Sequence, residues 1–341
     1  MSAWAEQDIL ELVCARKWAE TADCVSFELA SPDASVGFDF KPGQFASLGF
    51  DIAGQTEYRA YSISSMPQQP VLRFTVKRVA GGKVSGHVLE SLSQGDVIRV
   101  MKPQGLFNNV DCAARDKVVL ISAGCGITPV MSMARSWLEQ GNVDIDFLHV
   151  ARSLTETIYA NELEQLGQQY PQFHLKLLLK EAGSTQHAQG RLDQSWLNTL
   201  IPDLHQRTVY LCGPVGFMQD VKRYLEALDF DMQHFYQESF TPTVAENTQA
   251  SVAESVRVRV DAFGADIEAP SESLLLEALE TGQLPIIAAC RSGICGSCKC
   301  RVTSGTVRSH SQETLSADEI EQGYVLACST VLESDVEIAL N

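Results

Sequence analysis

Residues 289–300 read ACRSGICGSCKC, four cysteines in twelve residues, and a fifth, Cys328, follows in YVLACST (324–330). Two ligand registers compete. Cys290, Cys295 and Cys298 form C-x4-C-x2-C with Cys328 after 29 intervening residues, the spacing of plant-type [2Fe–2S] sites. Cys295 and Cys300 repeat the first interval, but the next ligand position, 303, is Thr. The first register is therefore expected to hold the metal. Four thiolates balance the charge of two irons and two sulfides, and soft sulfur donors suit iron. Gly293 and Gly296 allow the loop to turn tightly and aim backbone N–H groups at the sulfurs. Zinc is the alternative, but it favours a C-x2-C pair on both sides, and the second half here is a lone Cys328. Cys300 is expected to pack as a small apolar residue.

The sequence around this loop describes a small domain. SVRVRVDAFGADIEA (255–269) reads as a hairpin, and SESLLLEALETG (271–282) as an amphipathic helix with a serine cap and a glycine stop. The tail, 256–341, looks like a ferredoxin β-grasp domain. Ahead of it TPTVAENTQASVAES (241–255) has no apolar periodicity and reads as a linker. The tail holds 13 acidic and 6 basic residues, which makes it roughly twice as acidic per residue as the rest of a chain whose net charge is −17. Such a charge argues against nucleic acid and anionic membrane as partners and fits docking of a basic protein.

The front of the chain changes character near residue 110. Before it, CVSFELA, FASLGF, VLRFTVKRV and DVIRVM alternate between Pro/Gly turns, the pattern of a small antiparallel barrel. After it, apolar strands such as DKVVLISA, VDIDFLHVA, FHLKLLLK and RTVYLCG alternate with helical stretches, which predicts an α/β domain on a parallel sheet. The expected segments are a barrel at 1–110, an α/β domain at 111–240, the linker at 241–255 and the β-grasp domain at 256–341. With 341 residues, more than one domain is required. No 18-residue apolar run and no secretory leader pattern is seen, and ten cysteines without one point to a reducing, cytoplasmic setting.

Three stretches of the front could bind nucleotides. In RAYSISS, alternation places Arg59 and Tyr61 on one face, a guanidinium for phosphate and a phenol for a flat ring, with Ser62 beside them. VKRVAGGKVSGHV offers a glycine turn, Gly81–Gly82, with Ser85 at a helix start, whose amides and hydroxyl suit a pyrophosphate. ISAGCGITPVMSM ends a buried strand at Gly124–Cys125–Gly126 and opens a helix near Thr128–Pro129, and YLCGPVGFM brings Cys212, Gly213 and Pro214 to the same edge. The third glycine of the ordinary dinucleotide fingerprint is missing. Cys125 and Cys212 could equally be structural thiols.

Together and in this order, R-x-Y-S, G-x-x-S, G-x-G-I-T-P and C-G-P resemble the ferredoxin–NAD(P)+ reductase superfamily, over the front 240 residues. PQGLF (103–107) is similar to the turn that closes its barrel. The resemblance implies that Arg59, Ala60, Tyr61 and Ser62 bind a flavin and that Gly82, Val84 and Ser85 hold its phosphates. It implies a nicotinamide site at Gly124, Gly126, Thr128, Cys212, Gly213 and Pro214, with Arg152 against a phosphate or ribose. The implied activity is hydride transfer from NADH to FAD, with FMN as the alternative, then single-electron transfer through the cluster of Cys290, Cys295, Cys298 and Cys328 to a protein acceptor. Ser62, Thr128 and Cys212 would shape the reacting contact, and no acid, base or nucleophile is required, so His87 and His149 read as non-catalytic. RAYSISS, AGCGITPVMSM and GYVLACS resemble reductases that serve the hybrid-cluster protein, which implies that acceptor. Reductase components of Rieske-type oxygenases share the domain order. An electron-carrier or redox-sensing module, or a structural subunit, are the readings from other classes.

Overall fold

The computed structural model describes residues 9–32, 37–141, 143–240, 255–291, 293, 295–312 and 314–340. The chain divides into two compact units, Met1–Thr56 with Tyr61–Phe240, and Glu57–Ala60 with Thr241–Asn341. Most of the expected linker, 241–254, lies outside the described residues, and Ser255 already begins a strand.

The antiparallel sheet of the flavin-type barrel contains β1 (Ile9–Thr21), β2 (Cys24–Ala30), β3 (Phe45–Ile52), β4 (Gln55–Ser62), β5 (Val71–Lys77) and β6 (Val97–Met101), in the order β4-β3-β6-β1-β2-β5. Its alternating side chains converge on a core of Phe27, Phe74, Leu48, Leu72 and Ile98, each worth about 1.5–3 kcal/mol on burial. Helix α1 (Lys83–Glu90) adds Val84 and Val88 to that core.

The second sheet belongs to the same unit. Its strands are β7 (Lys117–Ala123), β8 (Asp144–Ala151), β9 (Phe173–Leu179), β10 (Ala188–Gln189), β11 (Thr208–Cys212) and β12 (Phe235–Glu238). All pairs are parallel, in the order β10-β9-β8-β7-β11-β12. Val118–Ile121 is a continuous apolar run because both faces of β7 are covered. Val118 and Leu120 enter the cluster shared with α2 (Ile127–Gln140) and α3 (Ala160–Gln169), whereas Val119 and Ile121 meet α4 (Gln194–Leu200) and α5 (Val215–Ala227). The chain order reverses across β7, so its carboxyl end is the topological switch point where such sheets bind ligands.

The second unit is a mixed sheet of β13 (Ser255–Val260), β14 (Ala265–Pro270), β15 (Lys299–Ser304), β17 (Tyr324–Leu326) and β19 (Val336–Leu340), in the order β14-β13-β19-β15-β17. A small ribbon, β16 (Val307–Ser309) with β18 (Thr330–Leu332), stands beside it in the chain, and the helices are α6 (Leu275–Thr281) and α7 (Ala317–Glu321). SVRVRV alternates exposed and buried in strict period two. The expected serine cap on α6 is not formed. Leu274 is the N-cap, and Ser273 instead donates its hydroxyl to the Pro270 carbonyl at 2.6 Å, closing the turn before the helix. Among the described residues no helix is long and apolar enough to cross a membrane.

Candidate functional site

The strand carrying RAYS is β4. Arg59 donates to the Tyr58 carbonyl at 2.6 Å and stands 3.7 Å from the Glu57 carboxylate. Tyr61 is half-buried against the barrel core. Ser62 is buried, and its hydroxyl has no hydrogen-bond partner among the described residues. A buried hydroxyl left unsatisfied costs roughly 1–3 kcal/mol, which makes Ser62 a candidate ligand contact. Ala60 lies between them on the strand.

Helix α1 starts with Gly82 as an N-cap that has no side-chain hydrogen bond, leaving the first-turn amides of Val84 and Ser85 uncapped by side chains. The Ser85 hydroxyl accepts from Val79 N–H at 3.1 Å and donates to the Gly82 carbonyl at 3.3 Å. Its structural task is thus to fold the glycine turn.

At the switch point, β7 passes into a short 3-10 turn, Gly124–Gly126, and then α2. Gly126 is fixed by crowding: a Cβ there would lie 2.1 Å from the Cys212 carbonyl oxygen and 2.6 Å from the Gly213 nitrogen. The two expected nicotinamide loops therefore touch, backbone to backbone. Thr128 is buried and donates to the Cys125 carbonyl at 2.9 Å. Cys212 is fully buried, and burial together with the Glu238 carboxylate pushes its thiol well up, so it stays protonated. Pro214 caps α5, and Gly213 meets Phe217, whose ring would stand 2.8 Å from an added Cβ. Arg152 is exposed just beyond β8, with no ion pair among the described residues.

His149 stands in register with Ser122 on β7, which itself pairs with Cys212 on β11. His149 Nδ1 lies 2.8 Å from Ser122 Oγ, and Nε2 makes no hydrogen bond among the described residues. Burial lowers its pKa to about 3, so the ring is neutral. His87, on α1, stacks edgewise on Phe50.

In the second unit Cys295, Cys298 and Cys328 are buried and Cys290 is half-buried. Their sulfurs lie against one another: Cys298 Sγ donates to Cys328 Sγ at 3.2 Å, and Cys328 N–H donates to Cys298 Sγ at 3.5 Å. Gly293 N–H donates to Cys328 Sγ at 3.2 Å. Gly293 has φ +76°, and a Cβ there would stand 2.7 Å from Ser311 Cβ and 2.8 Å from Ser329 Cβ, so no other residue fits this turn. Four converging sulfurs, three of them buried and one with an amide aimed at it, suit an iron–sulfur cluster. Cys300 is fully buried on β15, in register with Val325 and Leu340 and packed in the core.

The arrangement matches known proteins along its whole length. Residues 11–109 match the oxidoreductase FAD-binding domain, 120–223 the oxidoreductase NAD-binding domain and 258–333 the 2Fe-2S iron-sulfur cluster binding domain. The glycine betaine monooxygenase reductase subunit of Pseudomonas aeruginosa is 36% identical over 95% of this chain and 93% of its own. The chain belongs to the FAD- and NAD-binding ferredoxin reductases. Another relative, NADH oxidoreductase HCR of Escherichia coli, is 34% identical over 94% of both chains. The solved phthalate dioxygenase reductase superposes with a TM-score of 0.67 at 25% identity, covering 98% of each chain. This reductase is thus an oxidoreductase with an antiparallel flavin barrel, a parallel-sheet NAD domain and a [2Fe–2S] domain.

One further residue stands beside the candidate nicotinamide site without a mark in the sequence. Glu238, at the end of β12, is buried and in register with Cys212. In YQESF (236–240) it reads as one more surface acid. The signal was the carboxylate at the end of an edge strand two residues before an aromatic, but its neighbour Cys212 lies 26 positions earlier in the sequence.

Proposed function

We propose that this reductase is the NADH-dependent component of a multicomponent oxygenase, one acting on a betaine-like substrate. The observation that carries the reading is the full-length match to reductase subunits of a glycine betaine monooxygenase (36% identical) and of a stachydrine N-demethylase of Rhizobium meliloti (33% identical). The hybrid-cluster protein, implied by the sequence motifs, is the second reading; the chain is also 34% identical to NADH oxidoreductase HCR.

When bound, FAD accepts hydride from NADH and the cluster passes on single electrons. The match to a FAD-binding model favours FAD over FMN. In this reading Arg59 pairs with flavin phosphate, Ala60 and Tyr61 line the ring, and Ser62 directs its unpartnered hydroxyl to the flavin. Gly82, Val84 and Ser85 present the uncapped start of α1 to the pyrophosphate. Gly124, Gly126, Thr128, Gly213 and Pro214 form the floor of the nicotinamide site, with the protonated Cys212 as a neutral wall that excludes water. Arg152 follows β8 without a basic neighbour in RSLTE, which favours NADH over NADPH. Cys290, Cys295, Cys298 and Cys328 hold the cluster. Cys298→Ser should abolish its visible spectrum, whereas Cys300→Ser should leave it.

The acceptor is tested by mixing the NADH-reduced protein with an oxidised betaine-type Rieske oxygenase component and, separately, with hybrid-cluster protein. Faster reduction of the oxygenase supports the proposal. Reduction of the hybrid-cluster protein alone overturns it in favour of the second reading.

A further inference from the structure

The loop after the flavin strand is gripped by the nicotinamide helix. Ile63, Ser64 and Ser65 follow Ser62 directly and are buried. Ser132, on the second turn of α2, is fully buried and donates its hydroxyl to the Ser65 carbonyl at 2.8 Å. Arg135, one turn further, donates to the Ser64 carbonyl. Its guanidinium is held by Glu162 of α3 at 2.6 and 2.9 Å, and Glu162 also pairs with Arg73 at 3.2 Å. The ring closes on the same loop, because Ser64 N–H donates to the Arg73 carbonyl at 2.8 Å and Arg73 N–H donates to Ser65 Oγ at 3.1 Å.

These bonds join two parts that must meet in register. One is the strand end carrying Ser62, and the other is the helix whose first turn carries Gly126 and Thr128. Ser132 lies beyond the G-x-G-I-T-P core of its stretch and Arg135 beyond the stretch altogether, and the contacts span 67 and 71 residues of sequence. The bonds are backbone-directed, so they fix the relative height of strand and helix whatever the neighbouring side chains are. Charge-assisted bonds from an arginine that is 10% exposed hold that height stiffly.

We infer that Ser132 and Arg135 are positioning residues for hydride transfer: they clamp the flavin strand to the nicotinamide helix and set the distance between the two rings. The inference rests on the reductase reading above. Misplacing reacting groups by about 1 Å costs up to about 100-fold in rate, and weakened binding is not required.

The test compares wild type with Ser132→Ala, Arg135→Met and Arg135→Lys by anaerobic stopped-flow reduction with NADH. For Ser132→Ala and Arg135→Met the limiting rate of flavin reduction should fall about 10- to 100-fold. The NADH concentration giving half that rate, and the FAD dissociation constant measured by fluorescence on apo-protein, should stay within about twofold, a change below about 0.4 kcal/mol. The long-wavelength charge-transfer absorbance of the flavin–nicotinamide complex should weaken, and Arg135→Lys should restore part of it. Wild-type limiting rates and charge-transfer absorbance in the variants, with only a lowered melting temperature, overturn the clamp. Should Arg135→Met not fold, Ser132→Ala decides the matter by the same readings. A wild-type protein that binds FAD but is not reduced by NADH overturns the reductase reading and the clamp with it. Normal wild-type reduction with unaffected variants overturns the clamp alone.

Discussion

The two ends of the parallel sheet are built on opposite principles. At the amino end, Arg207 is buried among three carboxylates, 2.7 Å from Asp144, 3.1 Å from Asp146 and 2.7 Å from Asp203, and Lys117 adds a contact to Asp203 at 2.7 Å. At the carboxyl end stand a neutral histidine with a bare Nε2, a thiol that stays protonated and two glycine loops pressed together. One end spends its polar groups on each other, and the other keeps them for something that binds. Stability should therefore reside at the first end and activity at the second, and each substitution below can break that division.

The largest effect on stability belongs to Arg207→Ala. It leaves the buried Asp146 with only the more distant Lys176, at 3.7 Å, and removing one partner of a buried pair costs about 3–5 kcal/mol. Denaturant unfolding reads the loss, while NADH reduction of the folded fraction should keep its wild-type rate.

The two ends should also fail in different pH windows. His149 binds no proton in the folded state until about pH 3, whereas the unfolded chain does so near 6.5. Its contribution is complete above pH 6.5 and declines as pH falls, with a slope of about 1.4 kcal/mol per pH unit well below that value. At the amino end, burial would raise the Asp203 carboxyl, but hydrogen bonds from Arg207 and Lys117 outweigh it and hold the pKa to about 2. That contribution is present above pH 3.8 and is lost as pH falls towards 2. Unfolding measured from pH 7 to 4.5 should show the first decline in wild type, and His149→Gln should flatten it.

Cys212→Ala should cost about 1 kcal/mol in unfolding free energy, as a small buried truncation does, yet slow flavin reduction at least about tenfold. Ser62→Ala should cost no stability, because the hydroxyl it removes has no hydrogen-bond partner among the described residues. Its effect on flavin reduction should nonetheless match that of Cys212→Ala. A Ser62 variant that is destabilised but fully active would show that this hydroxyl serves the fold and not the flavin.

What could be read from the sequence follows from range. The cysteine intervals, the RAYS strand, the apolar run in KVVLISA and the alternation of SVRVRV are local, and each carries its own physical constraint. The glycine at 126 was legible as a nucleotide-loop residue, but its need for glycine comes from the Cys212 carbonyl, 86 residues on. Glu238 reaches the candidate site only through parallel pairing with Cys212, and the clamp of Ser132 and Arg135 depends on how two lobes of one unit pack. The serine cap expected for α6 failed because Ser273 had a nearer acceptor in Pro270, a competition that spacing alone does not resolve.

In the proposed function, electrons entering from NADH leave through the cysteine loop. Anaerobic mixing with one equivalent of NADH, followed at the flavin and cluster absorbances together, tests it most directly. Flavin bleaching followed by cluster bleaching, with the second phase absent in Cys298→Ser, is the predicted result. A cluster that stays oxidised beside a fully reduced flavin in the wild-type protein would contradict it.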